Sequence, residues 1–205
     1  MKITQLETIR LGEFPNIIWV RLHTDEGLMG LGETFMGAQA VEAYLHEWVA
    51  PKLVGQDPLA IESRQRDITG YLGWRGSGVE TRGNSAVDIA LWDIAGQAAG
   101  LPIHQLLGTC RHQVPAYISS AVLPSAQAYA DEALHYRAQN YAAYKIHPPQ
   151  VWREDIRVCE AVRQAVGDDY LLMLDAAWSY DYPAALRVGL TPATLLNDRA
   201  KVYPG

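Results

Sequence analysis

The chain has 205 residues, 49% of them hydrophobic, enough apolar content for one domain or two small ones. Its formal net charge is −6, with Lys and Arg scattered, so there is no basic patch for nucleic acid and no polybasic face for a membrane. No stretch approaches the roughly 20 apolar residues of a membrane span, and the N-terminal "MKITQLETIR" has no apolar leader segment. Cys110 and Cys159 show neither metal-ligand spacing nor a disulfide framework, so reduced thiols in a cytoplasmic protein are expected.

In chain order, residues 1–110 open with strands. "NIIWVRLHT" sets Ile18, Val20 and Leu22 against Trp19, Arg21 and His23, a period of two. "TDEG" supplies turn residues and "LMGLGET" the returning strand of a hairpin. Helical stretches follow in "AVEAYLHEWVAPKLVG", "AIESRQRDITGYL" and "NSAVDIALWDIAGQAAG", separated in part by the glycine-rich "GWRGSG". In the third, Val87, Ala90, Leu91, Ile94, Ala95 and Ala98 share a face, and Gly100 with Pro102 closes the run. This half predicts an α+β domain.

Residues 114–190 alternate instead. "VPAYISS" reads as a strand, "PSAQAYADEALHYRAQNY" as a helix N-capped by Ser125, and "AAYKIHP" as a strand. "WREDIRVCEAVRQAVG" is a helix with Ile156, Cys159, Val162 and Val166 on one stripe. "YLLMLD" is a third strand, and its apolar run predicts burial on both faces. "YPAALRVG" begins a last helix. Such alternation marks parallel βα units, whose ligands gather at the carboxyl ends of the strands. Lys145 and Asp175 stand at two of those ends, and His147 falls on the same strand face as Lys145. By themselves, an aspartate there is often a turn or cap residue, a lysine a solvated side chain and a histidine a structural one.

"SAVDIALWDIAGQAAGLPIHQLLG", residues 85–108, resembles the signature of the mandelate racemase/muconate lactonizing enzyme group of the enolase superfamily, through Asp88, Ala90, Leu91, Asp93, Gly96, Gln97, Pro102, Leu106 and Gly108. The resemblance implies an α+β capping domain (1–110) followed by the first three βα units of an incomplete (β/α) TIM-type barrel (114–190), with an atypical tail over 191–205. It further implies Mg²⁺-assisted abstraction of the proton α to a carboxylate, in a dehydratase or racemase acting on a small hydroxy acid or acid sugar. Asp175 would ligate Mg²⁺. Lys145, its pKa lowered by the metal and partial desolvation, would be the base or would polarise the substrate carboxylate, with His147 beside it. Trp74 and Arg75 lie in a loop that closes over the substrate in this family. Homo-oligomers are common in the group.

Three departures accompany the resemblance. The lysine motif reads Lys145-Ile146-His147 in place of Lys-x-Lys, and Ala177 stands where Asn or His is common. Only 92 residues run from Val114 to the last residue, whereas a complete barrel takes about 250. Two of the three carboxylate ligands are therefore expected to be missing, and the tail is expected to be foreign to the family. The alternative to an enzyme is a non-catalytic remnant or an interaction module pairing through exposed barrel strands.

Overall fold

The computed structural model describes residues 1–69 and 78–190, which fall into two compact units, Met1–Cys110 and Arg111 onward. Trp74, Arg75 and the tail lie outside the described residues.

In the first unit, β1 (Ile3–Ile9), β2 (Ile17–Thr24) and β3 (Met29–Phe35) form an antiparallel sheet in that order. Ile18, Val20 and Leu22 are fully buried on one face of β2, as their alternation predicts. The helices are α1 (Ala38–Tyr44), α2 (Ala50–Leu53), α3 (Ile61–Thr69), α4 (Val79–Ala99) and α5 (Ile103–Leu106). A π turn over Leu45–Val49 joins α1 to α2, with the Ala50 N–H donating to the Leu45 carbonyl. The reason is local: Pro51 has no N–H to continue the ordinary ladder, so the turn widens just before it.

The signature helix α4 packs on the sheet through Ala86, Val87, Ala90, Leu91 and Ile94. Ala98 is exposed, so the buried stripe stops one turn earlier than its spacing predicts. The approach is close because β3 carries glycine where the two backbones meet. A Cβ on Gly32 would stand 1.8 Å from the Ala86 carbonyl oxygen, and one on Gly30 2.0 Å from that of Ala90. Two more signature residues serve this contact. Asp93 accepts the Leu31 N–H at 2.9 Å, and Gln97 donates to the Met29 carbonyl at 2.8 Å. Leu31 and Met29 share one side of β3, so α4 satisfies backbone groups along the sheet edge that β2 does not reach. Asp88 accepts from Gln65 of α3 at 3.0 Å, and burial pushes its carboxyl above the ordinary range.

The second unit runs β4 (Ile118–Ser119), α6 (Ala126–Ala138), β5 (Ala143–Ile146), α7 (Trp152–Val166), β6 (Leu171–Leu174) and α8 (Tyr182–Leu190), with the strands parallel in the order β4-β5-β6. Ser125 caps α6, its Oγ accepting the Ala128 N–H at 3.2 Å. One sheet face, carrying Tyr144, Ile146 and Leu172, packs on Tyr129, Ala133, Val158, Cys159, Val162 and Val166 of the helices. The expectation that β6 is buried on both faces does not hold, since Leu171 is 37% exposed and only Leu172 of the strand is fully covered. Helices here cover one face of the strand, and its alternate residues point away from them. Along α7, Cys159, Val162 and Val166 are buried as expected, but Ile156 is only half-buried, and Asp155 and Arg163 share the buried face. Neither charge is visible in the apolar periodicity.

Among the described residues no helix is long and apolar enough to cross a membrane. Both cysteines are free; Cys110 is exposed, whereas burial pushes the Cys159 thiol up to about 12. A thiol reagent at neutral pH is therefore expected to modify one cysteine in the folded protein and both in denaturant. Rapid native labelling of both would contradict the packing of α7.

Candidate functional site

The parallel register places the predicted residues together. Ser119 pairs with Lys145 and Lys145 with Met173, while Tyr144 pairs with Leu172 on the helix-covered face. Since side chains alternate, Tyr117, Ser119, Lys145, His147, Met173 and Asp175 share the opposite face. The ladder extends past the strand ends through Ser120 N–H to the Lys145 carbonyl and Asp175 N–H to the Ile146 carbonyl, both at 2.9 Å. The lysine, histidine and aspartate thus meet at one carboxyl-terminal rim. Lys145 Nζ lies 3.2 Å and His147 Nε2 3.4 Å from the same Asp175 Oδ2, the latter an ion pair only when the ring is protonated.

Asp175 is held from its other side as well. Its Oδ1 accepts the Ala177 N–H at 3.1 Å, within a turn where Ala177 and Trp178 take φ of +47° and +63°. Left-handed backbone costs a non-glycine residue about 1 kcal/mol, which the carboxylate turn offsets.

The Ala177 N–H and then Lys145 hold the Asp175 carboxyl below its ordinary 3.8. At Lys145, burial pulls the ammonium down, but hydrogen bonds to Asp175 and Tyr117 outweigh it and raise the pKa. With a carboxylate 3.2 Å away the charged form is favoured, while the lowering expected of Lys145 rests in part on a bound metal. The depressed Asp175 contributes stability above the carboxylate range and loses it as pH falls through its folded pKa. The raised Lys145 contributes below the ordinary lysine range and loses it as pH rises through its own. The difference in denaturation midpoint between the wild type and Asp175→Asn is therefore expected to begin shrinking below about pH 4 and to vanish in stronger acid, once pH lies below the depressed folded pKa. A difference unchanged at acid pH would mean that the ion pair contributes nothing.

Tyr117 and Ser119 were not singled out by sequence reasoning. The Tyr117 ring centre lies 5.3 Å from Lys145 Nζ, and Ser119 Oγ lies 3.2 Å from His147 Nδ1. The signal was present as the alternation of "AYISS", but its rim face becomes definite only once β4 is paired with β5.

Mg²⁺ requires a near-octahedral set of oxygen ligands. Among the described residues no group of three His, Cys, Asp or Glu side chains can hold a metal ion, and Asp175 is the single carboxylate placed at this rim. These residues do not by themselves make an Mg²⁺ site.

Comparison with known proteins agrees with the signature helix and the parallel unit. The mandelate racemase/muconate lactonizing enzyme N-terminal domain matches residues 12–108, and the enolase C-terminal domain-like family matches residues 128–193. The L-talarate/galactarate dehydratase of Salmonella typhimurium is 34% identical over 185 residues, covering 84% of this chain and 45% of that protein. The D-galactonate dehydratase of Verminephrobacter eiseniae is 44% identical over 110 residues, covering 53% of this chain and 28% of that protein. An enolase of the mandelate racemase subgroup from Agrobacterium tumefaciens superposes with a TM-score of 0.80 at 40% identity, covering 95% of this chain and 56% of that one. The chain spans less than half the length of the two dehydratases. Matches to both halves of one family's architecture, in the right order, show that the chain belongs to the mandelate racemase/muconate lactonizing enzyme group of the enolase superfamily.

Proposed function

We propose that this chain carries part of the proton-transfer rim of an acid-sugar dehydratase or racemase, acting α to the carboxylate of a small hydroxy acid or acid sugar. In this reading its parallel strands are the first three βα repeats of a barrel, and residues 1–110 are the family's capping domain. The carrying observation is the convergence of Lys145 Nζ and His147 Nε2 on Asp175 Oδ2, at 3.2 and 3.4 Å. Acid-sugar dehydratases among the relatives support the substrate class.

Within this reading the two cationic candidates have different roles. Lys145 stays charged, so it binds and polarises a substrate carboxylate oxygen and stabilises the charge that builds as the α proton leaves. His147 Nε2 takes that proton and, in a dehydration, returns it to the β hydroxyl that departs as water. The Mg²⁺ expected of the superfamily needs oxygen ligands beyond the described residues, and no step here runs through it. Trp74 and Arg75 belong to the proposed substrate-closing loop. Homo-oligomerisation and a cytoplasmic setting complete the reading, the latter supported by the free thiols.

The test is α-proton exchange in D₂O, followed by NMR on galactonate, mannonate and galactarate. Exchange is expected in the wild type and a loss of about 100-fold or more in Lys145→Met and His147→Asn. A wild type that neither exchanges nor binds any of these acids rules the reading out.

A second reading is an interaction module. Tyr182, Leu186 and Leu190 form an i, i+4, i+8 stripe on α8 that is 78%, 45% and 74% exposed. It predicts concentration-dependent association that survives Asp175→Ala and is lost in Leu186→Glu. Light scattering that shows a monomer throughout removes it.

A further inference from the structure

His147 is tied down far more completely than a surface histidine needs to be. Its N–H donates to Ser120 Oγ at 2.9 Å, and its carbonyl accepts from Tyr129 Oη at 2.7 Å. Its Nδ1 lies 2.8 Å from the Ser120 carbonyl oxygen. Both partners are buried, Tyr129 completely. A carbonyl can only accept, so Nδ1 carries the proton and, in the neutral ring, Nε2 keeps the lone pair. Nε2, the ring atom that faces Asp175, is the group these bonds leave for the rim.

The anchor extends inward. Tyr144, on the strand that leads to His147, donates its hydroxyl to Glu132 of α6. Tyr129 Oη in turn accepts the Leu123 N–H at 2.8 Å, so the second anchor is fixed to the loop before α6. Neither Ser120 nor Tyr129 shares the rim face with Lys145, so their effect reaches the rim through His147.

We infer that Ser120 and Tyr129 are positioning residues that hold His147 as the Nδ1–H tautomer with Nε2 presented to the rim. This rests on the proposed proton-transfer role of the rim, and it deepens that role by naming the ring atom that performs it. Outer partners of this kind fix the tautomer and direction of a functional histidine, which a solvated histidine lacks because it favours Nε2–H.

The test is a two-bond ¹H–¹⁵N spectrum of protein labelled at histidine, at about pH 8.5, where an ordinary histidine is neutral. His147→Gln identifies the His147 signals by their loss. Wild type is expected to show a protonated Nδ1 and an unprotonated Nε2. Ser120→Ala removes the Oγ that holds the His147 N–H but keeps the carbonyl that accepts from Nδ1. It is therefore expected to loosen the ring and shift the tautomer ratio toward Nε2–H by about twofold, with Ser120→Thr restoring it. A wild-type Nε2–H pattern overturns the tautomer assignment, and a Ser120→Ala ratio equal to wild type overturns the positioning role of the Ser120 side chain. Should Ser120→Ala fail to fold, the wild-type pattern decides alone. The α-proton exchange assay separates the two claims. Exchange without the Nδ1–H pattern removes this assignment and leaves the proposed function standing, while the pattern without exchange does the reverse.

Discussion

Gly32→Ala is expected to destabilise the N-terminal unit by about 3 kcal/mol, the upper end of what inserting one methyl into a packed interior costs. The added Cβ would stand 1.8 Å from the Ala86 carbonyl oxygen and 2.8 Å from its carbon, both backbone atoms of α4. A flexible side chain could swing aside; a helix backbone cannot move without dragging Val87, Ala90 and Leu91 out of the same core. Displacing α4 would also stretch the bonds from Leu31 N–H to Asp93 and from Gln97 to the Met29 carbonyl, adding unsatisfied edge groups to the steric cost. Gly12→Ala is the control, since a Cβ there meets nothing within 4 Å. Urea denaturation followed by circular dichroism measures both. If Gly32→Ala falls within about 0.5 kcal/mol of Gly12→Ala, the backbone contact between β3 and α4 is wrong.

Arg163→Met is expected to cost the second unit about 3 kcal/mol. Arg163 is 5% exposed, and its guanidinium donates at 2.7 Å to the carbonyls of Gly167 and Tyr170, with a longer contact to that of Asp168 at 3.4 Å. It therefore satisfies the backbone of the turn that carries α7 into β6. Methionine fills much of the volume but donates nothing, so acceptors shielded from water lose their partners, at roughly 1.5 kcal/mol for each bond to a charged group. Because β6 delivers Asp175, the substitution should also loosen the rim. Hydrogen exchange at the Asp175 amide, which donates to Ile146, should speed up with the loss in stability. Unchanged stability together with unchanged exchange would show that the turn does not depend on Arg163.

Much of the architecture was legible before any coordinates. The period-two pattern of β2, the glycine-containing turn to β3, the helical stripe of α4 and the strand–helix alternation after Val114 each follow from local rules. The strands came out shorter than their apolar runs, as in Ile118–Ser119 within "VPAYISS", because a ladder exists only where a neighbour lies alongside. The signature helix was recognised from its residues, yet their roles were not. Asp93, Gln97 and Asp88 turn out to fasten α4 to β3 and α3, so the most specific motif in the sequence is a structural one.

The rim divides in the same way. That Lys145, His147 and Asp175 stand at one end of a sheet was determined by the sequence alone, since alternating side chains on consecutive parallel βα repeats leave no other placement. Only the tertiary structure decided their states. The bonds to Asp175 and Tyr117 outweigh burial and favour the Lys145 cation, while Tyr129 holds the His147 carbonyl and the Ser120 carbonyl meets its Nδ1. Asp155 and Arg163, on which the apolar periodicity is silent, are buried. Periodicity records which way a residue points along its own element; a hydrogen bond depends on what another segment, tens of residues away, brings within 3 Å.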